Sequence, residues 1–174
     1  MMTEIIFWVP GNPKPAGSKR GFVNRKTGGV IITDACKLTK SWQGDVKMFA
    51  YAAMQGQPLM TGPLEMIVVF QQGRPKCHYG TGRNAGVLKH DAPLFPESAP
   101  DGSKLTRAVE DAMSKVIYVD DAQIVDQLVR KRYGPPGALI TVRVKWIDRN
   151  IELTEAIRDT NQVTLFPESK DLSF

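Results

Sequence analysis

Three aspartates lie at the two ends of PDGSKLTRAVEDAMSKVIYVDDAQI, the stretch that covers residues 100–124. Asp101 follows a proline, and Asp120 and Asp121 are adjacent to each other. Carboxylate oxygens suit a hard cation such as Mg²⁺, which keeps several waters for a phosphate substrate. The same residues also have a purely structural interpretation, because aspartate often caps helices and often occupies turns. Spacing alone favours the structural interpretation and leaves a metal site as the alternative.

A helix is predicted directly after the first aspartate. The proline disfavours helical geometry in the residue before it, and the carboxylate of Asp101 can cap a helix, so we expect a start at Gly102 or Ser103. Apolar residues recur at helical spacing and would form the core side of this helix. They are Leu105, Ala108, Val109, Ala112, Met113 and Val116.

The opposite side of this predicted helix is charged. Lys104, Arg107 and Asp111 fall on one face that points away from the apolar stripe. A short strand over residues 116–119 would return along the helix and bring Asp120 and Asp121 towards its beginning. Basic side chains and carboxylates would then share one surface.

The hydrophobic pattern along the rest of the chain predicts one α+β domain. Strands are expected at residues 4–9, 64–70, 124–133 and 138–146, and a core-facing helix at residues 38–54. The order is β-α-β-α-β-β, which predicts a mixed sheet of about four strands with two main helices packed on it. Residues 1–147 would form this domain, and the more polar residues 148–174 would form a C-terminal tail.

The composition is that of an ordinary globular protein with a mildly basic balance. The chain has 174 residues, of which 42% are hydrophobic, and 23 Lys and Arg against 18 Asp and Glu give a net charge of +5. This charge permits a polyanionic partner. No apolar run reaches the roughly 20 residues of a membrane span, and no signal-peptide pattern is present, so we expect a cytoplasmic protein. The two cysteines fit a reducing compartment.

Positive charge is concentrated in two Gly- and Pro-rich loops and at one strand end. The candidate DNA contacts are Lys14, Lys19, Arg20 and Arg25 in the loop over residues 11–29, Arg74, Lys76, Arg83 and Lys89 in the loop over residues 71–99, and Arg130 and Arg132 at the end of the third strand. Side chains of this kind can neutralise DNA phosphates. The alternatives are a solvated first loop, a disordered second loop and a charged strand end that discourages aggregation.

Several parts of the sequence resemble the RusA-type endodeoxyribonucleases, which resolve Holliday junctions. The family signature of Pro-Asp, a later Lys or Arg, and Tyr-x-Asp-Asp-x-Gln is matched by PDGSKL, Arg107 and YVDDAQI, and the likeness extends over roughly residues 5–147. The resemblance implies a Mg²⁺-dependent endonuclease, with Mn²⁺ as the second option, that acts as a homodimer on four-way junction DNA. It also implies a bacterial or phage protein that works at the nucleoid in DNA recombination and repair.

By the resemblance, Asp101 and Asp121 would be metal ligands and Asp120 an assisting carboxylate. Arg107 would face the phosphate, and Lys104 would help to stabilise negative charge there. The sequence departs from the family at Ser103, where the signature has a second acidic residue. The alternative function is therefore a branched-DNA-binding protein whose catalysis is weakened or lost.

The tail contains a second, shorter resemblance. Gln162, Val163, Thr164, Leu165 and Phe166 resemble the motif through which bacterial proteins bind the sliding clamp. Leu165 and Phe166 would fill an apolar groove, and Gln162 would hydrogen-bond at its rim. The alternative is that these side chains pack on the parent domain or on a dimer partner.

Overall fold

The secondary structure follows the hydrophobic pattern of the sequence. A computed structural model describes residues 2–17, 19–34 and 38–145. The elements are β1 (Glu4–Pro10), β2 (Lys19–Val23), β3 (Val30–Asp34), α1 (Thr39–Met54), β4 (Leu64–Gln72), α2 (Gly102–Met113), β5 (Ile124–Tyr133) and β6 (Gly137–Val144). Short 3₁₀ turns lie at Lys76–His78, Gly82–Asn84 and Asp121–Gln123.

Four of the strands form one mixed sheet in the order β1-β6-β4-β5. β6 is antiparallel to both β1 and β4, whereas β4 and β5 are parallel. A parallel pair needs a crossover connection, and α2 lies on the one that leads from β4 to β5. This connection sets α2 against the edge strand β5, so the two ends of the aspartate-containing stretch lie beside the same strand.

One face of the sheet is covered by the two helices and holds the core. α1 packs on β1 and on α2, and α2 packs on β5. Alternate strand residues point into this layer and are buried together with the apolar stripes of both helices. The buried set includes Ile5, Phe7, Val9, Trp42, Val46, Ala50, Leu64, Met66, Val68, Phe70, Leu105, Val109, Met113, Ile140 and Val142. This packing fixes the position of α2 on the sheet.

The opposite face, which we call the open sheet face, is less covered. Its outward residues include two mainly apolar rows across the strands, Ile6, Thr141, Ile67 and Leu128 in one row and Trp8, Leu139, Val69 and Arg130 in the other. The row next to the first of these is charged and consists of Glu4, Arg143, Glu65 and Asp126. Ile6 is 57% exposed, and Leu139 and Leu128 are each 40% exposed. The chain therefore presents a band of apolar side chains on the side away from its helices.

The α+β fold and the element order of the main sheet are confirmed, with one addition. An antiparallel hairpin, β2 with β3, stands where the Gly- and Pro-rich composition predicts only a loop. The β3 sequence Val-Ile-Ile-Thr is a run of β-branched residues, which favour extended pairing. The turn between the strands closes through Asn24 N donating to Gly29 O at 2.8 Å.

The prediction of a strand over residues 116–119 is wrong. The chain forms a tight turn there, in which Lys115 has a φ of 61° and its amide donates to Tyr118 O at 2.7 Å. Residues 116–118 are buried because the turn folds back on the core, and Met60 N donates to Ile117 O at 2.7 Å. The apolar residues at positions 116–118 are therefore buried in the core but do not form a strand of the sheet.

The predicted C-terminal tail, with Gln162, Leu165 and Phe166, lies outside the described residues, as does the last part of the predicted fourth strand. Within residues 2–17, 19–34 and 38–145, no helix is long and apolar enough to span a membrane.

Candidate functional site

The first aspartate of the candidate site occupies the N-cap position of α2, which begins at Gly102 as predicted. Its side chain does not cap the helix. Instead, the Asp101 carboxylate pairs with Lys104 Nζ at 2.8 Å, and both side chains are more than half exposed. The hydrogen bond and the charge of Lys104 lower the pKa of Asp101 below its ordinary value, and Lys131 on β5 acts in the same direction. Asp101 is therefore an ionised carboxylate held between cations.

The outer face of α2 carries the charges that the sequence predicts. Lys104, Arg107 and Asp111 are exposed, and Ser103 is exposed one turn before Arg107. Asp111 accepts a hydrogen bond from Gln43 Nε2 of α1 at 3.4 Å. The apolar stripe on the other side of the helix is buried, so these side chains lie on a surface that a ligand can reach.

The second pair of aspartates is positioned by Gln123. Its Oε1 accepts hydrogen bonds from Val119 N at 2.9 Å and from Asp120 N at 3.3 Å. Its Nε2 donates to Met60 O at 3.3 Å and to Gly62 O at 3.2 Å. One side chain therefore connects the turn after α2 to the segment before β4. This explains physically why the motif has glutamine at this position, since an amide both donates and accepts.

Asp120 and Asp121 have different roles in this turn. The Asp120 carboxylate accepts a hydrogen bond from Ala122 N at 2.9 Å and closes a capping box with Gln123. Asp121 is exposed, and its carboxylate accepts no hydrogen bond from the described residues. Asp120 is thus part of the turn itself, whereas Asp121 presents its oxygens to solvent.

A further acidic residue, Glu110, is influenced by the charge of Asp121, and sequence reasoning missed this interaction. Burial raises the pKa of Glu110 above its ordinary value, and the charges of Asp121 and Asp111 add to this effect. Gln127 Nε2 on β5 donates to Glu110 Oε1, and this bond acts in the opposite direction. The sequence contains no pattern that predicts this interaction. The interaction depends on the turn at Lys115, which reverses the chain after α2.

Tyr118 connects Glu110 to the buried turn. Its hydroxyl donates to Glu110 O at 3.1 Å, and the ring is fully buried. Burial raises the pKa of Tyr118 well above its ordinary value, and the carboxylates of Glu110 and Asp121 contribute. The tyrosine of the YVDDAQI motif is therefore a neutral structural group under the candidate site.

The described residues do not gather three Asp, Glu, His or Cys side chains into a group that could hold a metal ion. Asp101 has lysines as its charged neighbours, whereas Asp121 acts on Glu110 and Tyr118. The grouping of Asp101, Asp120 and Asp121 around one ion remains a prediction. The donor atoms are all oxygens, which fits Mg²⁺, because this ion binds through one or two carboxylates with waters and phosphate oxygens as its other ligands.

The first set of predicted DNA contacts lies on and near the β2–β3 hairpin. Lys19 and Arg20 are on β2, and Arg25 is exposed in the turn that follows. Lys14 is half-buried and lines a cavity of about 240 Å³ with Trp42 and the first turn of α1. The hairpin gives two of these basic residues a fixed strand in place of the predicted loop.

The second set lies on the segment over residues 74–100, which has its own hydrogen bonds. Gly80 N donates to Val87 O and Lys89 N donates to His78 O, both at 2.9 Å. Within this segment Lys76, Arg83 and Lys89 are exposed. The structure thus describes a folded segment where disorder was the alternative.

Arg74 differs from the other predicted DNA contacts. Its Nη1 donates to Pro93 O at 2.7 Å, and its guanidinium lies 4.0 Å from the centre of the Tyr133 ring. These contacts fasten the segment to the end of β5. Arg130 and Arg132 are exposed on the same strand, and the Arg132 guanidinium lies 6.0 Å from the centre of the Phe95 ring.

Comparisons with known proteins give one family match and one similar protein. Residues 10–145 match the family model described as Endodeoxyribonuclease RusA. The chain is also similar to YqaN, an uncharacterized protein of Bacillus subtilis (strain 168), with 34% identity over 135 residues. That similarity covers 76% of this chain and 90% of the relative. The region matched by the family model contains α2, the turn after it and β5.

Proposed function

Because the chain belongs to the RusA family of endodeoxyribonucleases, we propose that it resolves Holliday junctions by hydrolysing backbone phosphodiesters in DNA recombination and repair. The observation that carries this proposal is the family match over residues 10–145, which includes the whole candidate site. The exposed charges around that site fit a phosphate substrate. Cytoplasmic action at the nucleoid of a bacterium or of a phage host follows from the same proposal.

The chemistry would depend on the exposed face of α2. Lys104 and Arg107 lie on this face and can stabilise the negative charge that builds up on a phosphate during hydrolysis. Lys104 is already paired with Asp101, so a phosphate oxygen would compete with that carboxylate for the ammonium group. The ion pair is exposed and exchanges easily, because such pairs contribute little free energy.

Mg²⁺, with Mn²⁺ as the second candidate, is the proposed cofactor, and Asp101 and Asp121 would hold it with help from Asp120. A bound cation of this kind lowers the pKa of water and shields phosphate charge. Asp101 is supported as a ligand by its exposed carboxylate, which is ionised at neutral pH. Asp121 is supported by its exposed oxygens, and Asp120 keeps lone pairs beyond the one used by Ala122.

We further propose that two copies form a homodimer through the open sheet face. A junction has two equivalent strands to cut, and a two-fold dimer supplies one site for each. The open sheet face supports this arrangement because Ile6, Leu128 and Leu139 are exposed on it, on β1, β5 and β6, with Ile67 and Val69 of β4 between them. An interface there would leave the exposed face of α2 accessible, because the helices lie on the other side of the sheet.

A partner-binding role for the tail, with Gln162, Leu165 and Phe166 in contact with a bacterial sliding clamp, remains a proposal from sequence alone. Calorimetry of the clamp with the whole chain and with a variant that lacks residues 162–166 tests it. Equal affinity of the two proteins would dismiss the proposal.

Ser103 provides the second candidate function. A chain with serine in place of the family's second carboxylate has one negative charge fewer at its metal site, which favours a protein that binds branched DNA and cuts it weakly or not at all. Ser103 is exposed beside Lys104, so an aspartate can be introduced there without disturbing the core.

Cleavage of a labelled synthetic four-way junction, with Mg²⁺ or Mn²⁺, tests the proposed function. The proteins are the wild type, Ser103→Asp and Asp101→Asn, and linear duplex is the control substrate. Paired symmetric nicks by the wild type, lost in Asp101→Asn with binding retained, are expected for an active resolvase. Tight junction binding without nicks, with cutting restored by Ser103→Asp, would identify an inactive binding protein. No preference for the junction over the duplex would contradict both functions.

A further inference from the structure

Two large apolar side chains are exposed on the segment that leads into α2. Leu94 is 76% exposed and Phe95 is 54% exposed, although the next residue, Pro96, is buried. They lie in the sequence Pro-Leu-Phe-Pro, six and seven residues before Asp101. Neither residue contributes to the core, so packing within the described residues does not explain why both side chains are large and apolar.

This pair is held at both ends by hydrogen bonds to cationic side chains. Before the pair, Arg74 Nη1 donates to Pro93 O at 2.7 Å, and after it Lys131 Nζ donates to Ser98 O at 2.7 Å. The two flanking prolines also restrict the backbone, since each fixes its own φ. The segment therefore presents Leu94 and Phe95 on a short, fixed support, and little conformational entropy would be lost when a ligand contacts them.

The surroundings of the pair are basic. The Arg132 guanidinium lies 6.0 Å from the centre of the Phe95 ring, and Arg130 and Arg132 are both exposed on β5. The single acidic residue between the two hydrogen-bonded anchors is Glu97, which is also exposed. An aromatic ring beside an exposed arginine matches a nucleic acid, because the cation meets phosphate while the ring meets the face of a base.

We propose that Leu94 and Phe95 form a stacking platform for a base that unstacks at the branch point of junction DNA. The inference rests on the proposed function and adds the feature of DNA that the segment recognises. In a continuous duplex the base faces are covered by their neighbours, whereas a branch point interrupts stacking and exposes them. A platform of this kind selects branched DNA without reading its sequence, because every base has a face on which a ring can stack.

The test measures DNA binding and base unstacking without cleavage. Four-way junctions carry 2-aminopurine either at the branch point or within one arm, and EDTA is present to prevent hydrolysis. Phe95→Ala should bind the junction roughly tenfold more weakly than the wild type and should bind linear duplex within about twofold of the wild type. The wild type should raise the fluorescence of the branch-point probe, Phe95→Ala should not, and Phe95→Trp should restore the rise.

The chain offers a matched control in Tyr51 on α1. This aromatic residue is 55% exposed and lies near Lys47 Nζ, which is 5.8 Å from the centre of its ring. Tyr51→Ala should bind the junction and raise the fluorescence as the wild type does. Leu94→Ala, which removes the more exposed member of the pair, should weaken junction binding in the same direction as Phe95→Ala, and circular dichroism checks that each variant is folded.

Unchanged junction affinity and an unchanged fluorescence rise in Phe95→Ala would overturn the inference while the proposed function stands. Equal weakening on junction and duplex would overturn it as well, because the residue would then support DNA binding in general. A change from dimer to monomer in sedimentation would assign the pair to a second copy of the chain instead. A wild type that does not prefer the junction would contradict the proposed function itself.

Discussion

At the scale of single residues, the candidate site contains carboxylates in opposite environments. Asp101 is exposed beside Lys104, which lowers its pKa and keeps it charged. Glu110 is half-buried, and burial together with the negative charges of Asp121 and Asp111 raises its pKa. The two residues belong to one helix, so the difference comes from what each turn of α2 faces. Asp101 meets solvent and lysines, whereas Glu110 meets the buried turn and β5.

The raised pKa of Glu110 predicts a specific dependence of stability on pH. Between its ordinary value of 4.5 and its higher value in the folded chain, Glu110 binds a proton in the folded state that it has lost in the unfolded state. The contribution of this group to the free energy of unfolding therefore falls as pH rises through that window. Glu110→Gln should remove this fall, because the amide oxygen can still accept the hydrogen bond from Gln127 and carries no charge.

Denaturant unfolding of the wild type and Glu110→Gln at pH 4 and at pH 7 measures the effect. The variant should gain stability relative to the wild type on going from the lower to the higher pH. Asp45→Asn, which changes an exposed carboxylate on α1, serves as the control and should show a smaller change. A constant difference between Glu110→Gln and the wild type at both pH values would contradict the prediction.

At the scale of elements, two glycines differ in the space that a side chain would have at their positions. A Cβ at Gly44 on α1 would meet nothing within 4 Å. A Cβ at Gly137, the first residue of β6, would overlap the indole of Trp8 on the neighbouring strand. The glycine of the helix is therefore dispensable, whereas that of the strand makes room for a large side chain at the edge of the sheet.

Alanine substitutions at these glycines should change stability in opposite directions. Gly44→Ala should raise the free energy of unfolding by up to about 1 kcal/mol, because glycine in an exposed helix interior has a large entropy in the unfolded chain. Gly137→Ala should lower it by about 1–3 kcal/mol, because the indole of Trp8 must move to make room for the methyl group. Urea unfolding measures both, and equal effects of the two substitutions would contradict this account.

At the scale of the whole molecule, the chain has a layer of helices on one side of its sheet and apolar residues exposed on the other. Leu139 on β6 lies centrally in this open sheet face, between Trp8 and Val69 of the flanking strands. Apolar side chains on adjacent strands suit association with a second copy, because the hydrophobic effect favours their removal from water. The proposed dimer would use this surface and keep the exposed face of α2 on the outside, whereas Arg130, which belongs to the open sheet face, would lie at the interface.

Leu139→Lys should weaken self-association at least about tenfold, because an interface would then bury an unpaired charge. Sedimentation equilibrium measures the change, and junction cleavage should turn from paired cuts to single nicks. Met48→Lys is the control, since Met48 is 57% exposed on α1, away from the open sheet face. A Leu139→Lys variant that associates as tightly as the wild type would exclude this face as the interface.

The sequence by itself determined the two helices and the four strands of the main sheet, together with the family signature, but not the β2–β3 hairpin. Helix α2 and strand β5 are local features, and their bounds follow from hydrophobic periodicity, a proline and a capping position within a few residues. The signature residues are likewise adjacent in sequence, so their order can be recognised without a structure. The strand predicted over residues 116–119 failed because burial and strand pairing leave the same apolar pattern.

Only the tertiary structure decided which distant residues meet. Gln123 hydrogen-bonds to Met60 and Gly62, and Gln127 hydrogen-bonds to Glu110. Arg74 fastens the segment that carries Phe95. These contacts depend on turn geometry and on the order of strands in the sheet. Neither feature produces a periodic pattern of residues in the sequence. The open sheet face has the same origin, because which side of a strand is covered depends on where the helices pack.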